Sequence, residues 1–353
     1  MDCRETILNV DLQKLRDNAA HMIDLCADHG VQITGITKGC CSDRGIVEAL
    51  IDGGIRSIGD SQIHNLQKLE GLDLERWMIR IPAPQEADAL IRYAEVSLQS
   101  EKVTLEAVNR AARELGKTHK VILMVDLGDL REGSFDKREL LEQVSFVTDQ
   151  SHLELYGIGT NLGCFNFIRP DQEKMQALLE LKNAIGEEIK IVSAGNSSGI
   201  NLMRSGGMPE GVNHLRLGES ILVGRERETF TYLEGMHNDA FILEVPLVEC
   251  KTKPSMPIGT IGRDSYGNSP KPVDIGERKR GILAIGKQLT DDQTIFPVDP
   301  KIQIVGSSSD HLIVDLSDCD INYRVGDRIP IRLGYFAIMR AFTGAGIRVK
   351  YCN

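Results

Sequence analysis

The sequence has no apolar run that approaches the ~18–20 residues of a membrane-spanning helix. Its charged N-terminus also lacks the apolar stretch of a signal peptide. The chain has no excess of positive charge either, since the formal net charge of its 353 residues is −10. Non-specific nucleic-acid binding needs a basic surface, so this charge argues against it. These absences favour a protein whose partner is a small molecule rather than a membrane or a nucleic acid.

The cysteines form neither a disulfide framework nor a metal motif. Of the eight, Cys40 and Cys41 are adjacent and the other six are scattered. No CxxC pair and no Cys/His spacing typical of a zinc site occurs. This usage is typical of a reduced, cytoplasmic chain, and we expect no metal site.

The first two thirds of the chain alternate short β-rich runs with amphipathic stretches. Such alternation predicts parallel strands joined by right-handed crossover helices. Eight strand candidates within about 200 residues indicate a (β/α)8 TIM barrel, with a doubly wound open sheet as the alternative. The candidate strands are 33–37, 55–58, 77–81, 95–98, 121–125, 155–159, 190–192 and 214–217.

The pattern changes near residue 235, after which strands and turn signals follow one another without a long helix. This favours a separate, mainly antiparallel β domain. We therefore predict a barrel domain over 10–235 and a β domain over 236–353, joined by an N-terminal strand within 1–9. The candidate strands are 241–249, 257–261, 281–285, 301–305, 311–316 and 328–333.

In a TIM barrel, function lies in the loops that follow the strands, and Lys38 is the most informative residue there. It ends an apolar strand, where a hydrated ammonium group is costly without a role. A lysine in this position can have a lowered pKa and form a Schiff base with a carbonyl compound. The alternative is a salt-bridged lysine at the rim of the barrel.

Two further strand ends carry polar groups. The Ser/Gly/Asn run at 193–199 offers backbone N–H groups and hydroxyls that suit a phosphate, although it can also be a plain glycine-rich turn. Arg216 follows on the next strand and donates in a fixed fork, unless it only pairs with Glu219. A lysine, a phosphate nest and an arginine around one cavity indicate pyridoxal 5'-phosphate.

These residues resemble the alanine racemase family, the pyridoxal-phosphate enzymes built from a barrel and a β domain. Within the family the chain is most similar to the ornithine racemase branch. The resemblance covers both predicted domains. It is carried by segments 36–41, 59–66, 193–199, 208–219, 257–259 and 278–286.

The resemblance implies a role for each matching residue. Lys38 is the Schiff-base lysine and one of two proton-transfer bases, and Arg216 pairs with the pyridine nitrogen. Arg131 approaches the cofactor hydroxyl or the substrate carboxylate. The resemblance implies that the phosphate is held by Asn196, by Ser197 and by the backbone of Gly218 and Glu219. Ser193 lies close to these residues, and Tyr335 of the β domain closes over the phosphate.

The chain departs from the family at four positions. Ser42 stands where alanine racemases have a tyrosine, and Asn161 stands where a histidine lies over the cofactor ring. Met124 replaces a lysine that is often carbamylated, so we expect no such modification. The second base has no direct counterpart; Tyr266 is our candidate, with Asp264 as the alternative.

The resemblance implies two-base racemisation of an amino acid, with ornithine or another basic amino acid as the expected substrate, by a head-to-tail homodimer. A basic side chain needs an acidic partner, for which Asp60, Asp129, Glu219 and Asp264 are candidates. The alternatives are an alanine or broad-specificity racemase, a non-catalytic cofactor-binding homeostasis protein, and a related decarboxylase. The homeostasis proteins have no β domain, which argues against that reading.

Overall fold

The computed structural model describes residues 5–263, 267, 269 and 271–352. The chain begins with strand β1 (Thr6–Asp11) and helix α1 (Leu12–Ala27). Asp11 caps the helix, because its carboxylate accepts a hydrogen bond from the Lys14 N–H at 3.0 Å. No helix among the described residues combines the length and apolar character that a membrane span requires.

Eight parallel strands close into a barrel in sequence order, which confirms the predicted TIM barrel over the open sheet. Each strand overlaps the run predicted for it. The strands are β2 (Gln32–Ile36), β3 (Ser57–Asp60), β4 (Glu75–Met78), β5 (Val96–Gln99), β6 (His119–Met124), β7 (Leu153–Gly159), β8 (Ile191–Ser193) and β9 (His214–Leu217).

Each barrel strand is followed by a helix, as the (β/α)8 pattern requires. Apolar residues at helical spacing bury one face of each longer helix. The helices are α2 (Arg44–Asp52), α3 (Ile63–Gln67), α4 (Ala87–Tyr93), α5 (Lys102–Glu114), α6 (Lys137–Thr148), α7 (Gln172–Ile185), α8 (Ile200–Arg204) and α9 (Glu219–Val223).

The barrel interior is packed, so its chemistry is confined to the loops at its ends. Met124 lies with Trp77 and Ile122 in an apolar cluster and is fully buried. Strand β7 approaches β8 so closely at Gly157 that a Cβ there would lie 2.2 Å from the Ile191 carbonyl oxygen. Only glycine fits this contact.

The chain divides into two compact units, Asp11–Ala240 and Phe241–Cys352 together with the N-terminal segment that ends at Val10. In the second unit, β1 pairs with the first and last strands of an antiparallel sheet, β10 and β16. Its elements are β10 (Phe241–Pro254), β11 (Glu277–Leu283), β12 (Ile295–Pro297), β13 (Gln303–Ser307), β14 (Leu312–Asp315), β15 (Arg328–Leu333), α10 (Tyr335–Thr343) and β16 (Ile347–Cys352).

One strand predicted for this unit does not form. Residues 257–261 are irregular, and Ile258 is 95% exposed. Gly259 adopts a φ of +120°, a backbone conformation that is incompatible with a continuous strand. The apolar side chains of Ile258 and Ile261, which suggested a strand, are therefore not buried against a neighbouring strand.

Candidate active site

The predicted site residues of the barrel unit lie at the carboxyl ends of its strands. Lys38 follows β2, Arg131 lies in the loop after β6, and Asn161 follows β7. Ser193 ends β8 and Arg216 lies on β9. Because the strands are parallel, their ends meet at one mouth of the barrel, where TIM-barrel active sites lie.

Lys38 is half-buried, and in the described part of the chain its ammonium group has no hydrogen bond or ion pair. It lines a cavity of about 340 Å³. Burial lowers the pKa of Lys38 below its ordinary value, and Arg131 and Arg227 lower this pKa further. Cys164 and Asp60 act on the same pKa in the opposite direction. A lysine of this kind exposes more of the neutral, nucleophilic amine at a given pH.

The buried carboxylate of Asp60 organises the backbone around Lys38. Its Oδ2 accepts from the Ser42 hydroxyl at 2.7 Å. Its Oδ1 accepts from Asn65 Nδ2 at 3.1 Å and from the Gln62 N–H at 2.9 Å. Ser42, which stands at the tyrosine position of alanine racemases, is therefore a structural partner of Asp60 in this chain.

Arg216 is 5% exposed and is held at two points. Its Nη1 donates to Ser193 Oγ at 2.5 Å, and its Nη2 donates to the Thr160 carbonyl oxygen at 2.8 Å. Among the described residues no carboxylate pairs with it, and burial lowers the pKa of Arg216 to about 10. The guanidinium therefore remains positive at neutral pH with no anion to balance it.

A chain of hydrogen bonds supports Arg216 from inside the barrel. Ser193 Oγ, which accepts from Arg216, lies 2.9 Å from His214 Nδ1. On the other side of the ring, His214 Nε2 lies 3.0 Å from Thr34 Oγ1. Burial lowers the pKa of His214 to about 3, so the ring is neutral and has one N–H donor and one acceptor for these two contacts. Ser193 thus positions Arg216 and has no bond to the serine cluster at 197–198.

The buried histidines predict a loss of stability in acid. Burial lowers the pKa of His214 to about 3 and that of His119 to about 4, against 6.5 for an ordinary histidine. The unfolded chain therefore binds more protons below pH 6.5, and stability falls as pH decreases from 6.5 towards 4. The expected slope is at most about 1.4 kcal/mol per pH unit for each ring. Urea unfolding followed by fluorescence of Trp77, the sole tryptophan, measures it.

The double variant His119→Gln/His214→Gln provides the comparison for this prediction. It removes both groups that take up a proton on unfolding, so its unfolding midpoint should depend less on pH between 6.5 and 4. An unchanged dependence would show that other groups control the acid stability.

The polar run after β8 is folded around Asn196. Its Oδ1 accepts from the Ser198 N–H at 2.8 Å, while its Nδ2 donates to Asn161 Oδ1 at 3.0 Å and to the Leu162 carbonyl at 2.8 Å. These bonds connect the loop after β7 to the loop after β8. Asn161 is thus placed against Asn196 at the barrel mouth, as expected of two residues of one site.

The hydroxyl of Ser197 joins this run to the last barrel loop. Its Oγ lies 3.1 Å from Ser220 Oγ and 3.3 Å from the Ser220 backbone nitrogen, which donates to it. Gly218 precedes α9 in close contact with β2, because a Cβ there would lie 3.1 Å from the Ile36 carbonyl oxygen. Ser197 and Gly218 therefore lie at neighbouring loops.

Glu219 is not the partner of Arg216 that one alternative reading required. It is 4% exposed and forms ion pairs with Arg225 and Arg227, the latter at 3.2 Å. The side chain of Glu219 is therefore engaged by these two arginines, and only its backbone N–H remains for the predicted phosphate site.

The alanine racemase N-terminal domain model matches residues 10–226. The chain belongs to this family. The match spans α1 and all eight barrel strands. It confirms the resemblance inferred from the sequence, and with it the class of activity, an amino-acid racemase that uses pyridoxal phosphate.

Two curated relatives of the family match nearly the whole chain. The ornithine racemase of Acetoanaerobium sticklandii is 44% identical over 340 residues, which are 95% of this chain and 96% of the relative. The lysine racemase of Thermotoga maritima is 31% identical over 350 residues, 98% of each chain.

A solved structure shares the fold. Alanine racemase from Bartonella henselae, which contains covalently bound pyridoxal phosphate, matches with a TM-score of 0.72 and 18% identity. The match covers 98% of this chain and 99% of that protein. It supports the barrel and the β sheet as the architecture of the family.

The barrel mouth fits the family cofactor. Within the described residues, the buried atoms Asn161 Nδ2 and Thr160 Oγ1 have no hydrogen-bond partner. Buried polar groups are normally satisfied, so such atoms indicate a ligand. In the same region Lys38 has no partner and Arg216 no anion. Pyridoxal phosphate offers an aldehyde, a ring and a phosphate to these groups.

Three predicted residues belong to the second unit or lie outside the described part of the chain. Tyr335 begins α10 in the second unit, where it is 5% exposed. Tyr266 and its alternative Asp264 lie outside the described residues. The roles of all three therefore stay predictions.

The described acidic candidates for a substrate ammonium group are already engaged. Asp60 accepts from three donors, and Glu219 pairs with two arginines. Asp129 is 1% exposed and accepts from the backbone N–H groups of Phe165 and Ile168, at 2.9 and 3.1 Å. Each of these carboxylates stabilises a loop of the barrel mouth.

Sequence reasoning missed three residues of the site. Arg227 and Cys164 lie close enough to Lys38 to shift its pKa, and Cys164 Sγ accepts from Asn196 Nδ2 at 3.3 Å. Glu132 lines the same cavity as Lys38. All three lie several residues beyond the end of a strand. The sequence contained one signal for them, the adjacent opposite charges of Arg131 and Glu132.

Proposed function

We propose that the protein is a pyridoxal-phosphate-dependent racemase that interconverts L- and D-ornithine, or another basic amino acid. The observation that carries the proposal is the partner-free, half-buried Lys38 at a barrel mouth that also holds a buried, unbalanced Arg216. The chain is 44% identical to an ornithine racemase and 31% identical to a lysine racemase, so a dibasic substrate is favoured over alanine.

Each residue of the mouth has a part in this reaction. When bound, pyridoxal phosphate accepts an amine at its aldehyde and stabilises negative charge at the substrate Cα. Lys38 Nζ would attach the cofactor and would remove or return the Cα proton on one face of the substrate. Arg216 would bind the ring nitrogen of the cofactor and disfavour its protonation. Asn196, Ser197 and the backbone N–H groups of Gly218 and Glu219 would hold the phosphate.

Racemisation needs a second acid–base group on the opposite face of the Cα, since a single base mostly returns the original enantiomer. Tyr266 is our candidate for this group and Asp264 is the alternative. We place it in the β domain of a partner subunit, which makes the active unit a head-to-tail homodimer. Tyr335 closes over the phosphate. Six cysteines in the described part of the chain are free thiols, which agrees with a cytoplasmic location: Cys26, Cys40, Cys41, Cys164, Cys250 and Cys319.

Incubation with L-ornithine in deuterium oxide tests the function. We expect deuterium to appear at Cα together with complete loss of optical rotation, because the proton removed on one face is replaced on the other. Nuclear magnetic resonance and polarimetry measure the two changes. A panel containing lysine and alanine defines the substrate range.

The outcomes of this experiment separate the alternatives. Exchange at Cα without loss of rotation would indicate a one-base protein and contradict the racemase. Equal rates for alanine and ornithine would indicate a broad-specificity racemase. Absence of both changes, in protein that retains its cofactor, would favour a cofactor-binding homeostasis protein.

A further inference from the structure

The cavity beside Lys38 contains one carboxylate among its lining residues, that of Glu132. The cavity measures about 340 Å³ and is also lined by Ser61, Arg80 and Arg131. This set is rich in positive charge, and among the described residues that line the cavity Glu132 is the one that can pair with an entering cationic side chain. Glu132 is well shielded from water, with 16% of its side chain exposed.

Glu132 lies in a loop that is fixed by backbone hydrogen bonds. The loop between β6 and α6 is closed by two backbone hydrogen bonds, from Asp126 to the Ser134 carbonyl at 3.1 Å and from Ser134 to the Met124 carbonyl at 2.9 Å. Burial lowers the pKa of Arg216, and Glu132 is the largest influence that opposes this shift. The carboxylate is therefore close enough to Arg216 to act on its pKa, and Glu132 lines the same cavity as Lys38.

The two arginines that line the cavity differ in how firmly they are held. Arg80 donates to the carbonyl oxygens of Ser61 and Ile81 at 2.9 and 3.0 Å, and to Glu86 at 2.7 Å. Arg131 has hydrogen bonds to Glu132 through Nε and Nη2. An incoming carboxylate can thus engage Arg131 by replacing a single residue, whereas Arg80 would have to leave three partners.

We propose that Glu132 binds the side-chain ammonium group of a dibasic amino acid while Arg131 binds its α-carboxylate. This inference rests on the proposed function. Without substrate, Arg131 and Glu132 form an ion pair with each other; in the complex, each forms an ion pair with a charged group of the substrate instead. Each protein charge therefore exchanges one partner for another, and none is left unpaired.

This exchange of ion-pair partners makes the site selective for dibasic amino acids, because a substrate without a side-chain charge leaves one protein charge unpaired. An amino acid without a side-chain charge also draws Arg131 away, but it leaves the shielded Glu132 carboxylate without a cation. An unpaired, partly buried charge is unfavourable, so such a substrate binds less well. Glu132 is thus the specificity-determining residue, and the three acidic candidates already engaged in the loops are not needed for this role.

Glu132→Gln tests the proposal when L-ornithine is compared with L-norvaline, which has the same carbon chain without the ammonium group. We expect kcat/KM for ornithine to fall on the order of 10- to 100-fold, since a charge-assisted hydrogen bond is lost. The value for norvaline should stay the same or rise. The ratio of the two is the readout, because a purely structural effect of the substitution would lower both alike.

Two further variants complete the design. Glu132→Asp keeps the charge but withdraws it by one methylene, so the preference should move from ornithine towards the longer lysine. Glu86→Gln is the matched control: it removes a carboxylate paired with the other lining arginine and should leave the ornithine-to-norvaline ratio unchanged. The absorption band of bound cofactor should be retained in all variants.

The results distinguish this inference from the proposed function. If the wild-type protein racemises ornithine and Glu132→Gln keeps the wild-type ratio, the assignment of Glu132 is wrong and the function stands. An Asp variant with an unshifted lysine preference would also overturn it. If the wild-type protein racemises no dibasic amino acid, the proposed function fails first.

Discussion

Lys38→Ala is expected to abolish the visible absorption band of the bound cofactor and to lower racemisation of ornithine by roughly 10⁴-fold or more. Under the proposed mechanism, the variant loses both the amine that attaches the cofactor and a base at the substrate Cα. Absorption spectroscopy of the purified protein and polarimetry measure the two effects. A retained band would contradict the assignment of the cofactor to Lys38.

The same variant should fold as stably as the wild-type protein. In the described structure Lys38 has no hydrogen bond or ion pair to lose, and its burial opposes the charged form. Removing a desolvated charge without a partner leaves the free energy of unfolding unchanged or raises it. A structural, salt-bridged lysine would instead lose stability on the same substitution.

Lys68→Ala is the matched control for Lys38→Ala. Lys68 Nζ donates to the Cys41 carbonyl at 2.9 Å and to Asn65 Oδ1 at 2.8 Å, so it supports the loop that follows β2. We expect this variant to keep the cofactor band and to lose some stability, on the order of 1 kcal/mol. The two lysines should therefore show opposite patterns in the two measurements.

The barrel could be predicted because its signals are local. Each strand is a short apolar run that the interior buries on both faces, and each is followed by a helix with apolar residues at helical spacing. The ends of β7 and β9 coincide with their predictions at Gly159 and Leu217, while the other barrel strands end one to three residues away from theirs. Ends depend on pairing with a neighbour, which a single segment does not specify.

The β unit was less predictable because its pairings join distant parts of the chain. Strand β1 lies between β10 and β16, more than 200 residues away in sequence. Ile295–Pro297 forms a strand although it has only three residues, because β15 provides its partner. Residues 257–261 have the composition of a strand and remain irregular.

The position of Lys38 just after β2 and of Arg216 on β9 could be predicted, because each polar residue stands next to a short apolar run. The partners of the side chains could not be predicted. Glu219 lies three residues from Arg216, yet it turns to Arg225 and Arg227 because Ser193 and Thr160 already hold Arg216. Such choices depend on loops that fold over the barrel mouth from elsewhere in the chain.

Arg216→Lys is expected to be the most damaging substitution that preserves charge. Two guanidinium nitrogens of Arg216 bond Ser193 Oγ at 2.5 Å and the Thr160 carbonyl at 2.8 Å, and we propose that a further N–H serves the cofactor. One ammonium nitrogen cannot make all of these contacts in the same geometry. Loss of even one charge-assisted bond, about 1.5–3 kcal/mol, predicts cofactor binding weaker by about 10- to 100-fold. Titration of the apoprotein with pyridoxal phosphate measures this affinity independently of turnover.

The variant should also acquire a new pH dependence. Burial lowers the pKa of Arg216 to about 10, which still leaves it charged at neutral pH. A lysine starts from a lower ordinary pKa, so the same burial brings its titration towards neutrality. The remaining racemase activity should therefore fall as pH rises through this range, because the ammonium group loses its proton. The wild-type enzyme should show no such loss from this residue.

Arg76→Lys controls for the chemistry of the substitution. Arg76 lies at the amino-terminal end of β4, has 14% of its side chain exposed and pairs with Glu95 at 2.7 Å. Its replacement should reduce stability slightly and leave cofactor affinity and the pH profile unchanged. If Arg216→Lys behaved in the same way, Arg216 would be a structural residue of the barrel, and the contact proposed between its guanidinium group and the ring nitrogen would have to be abandoned.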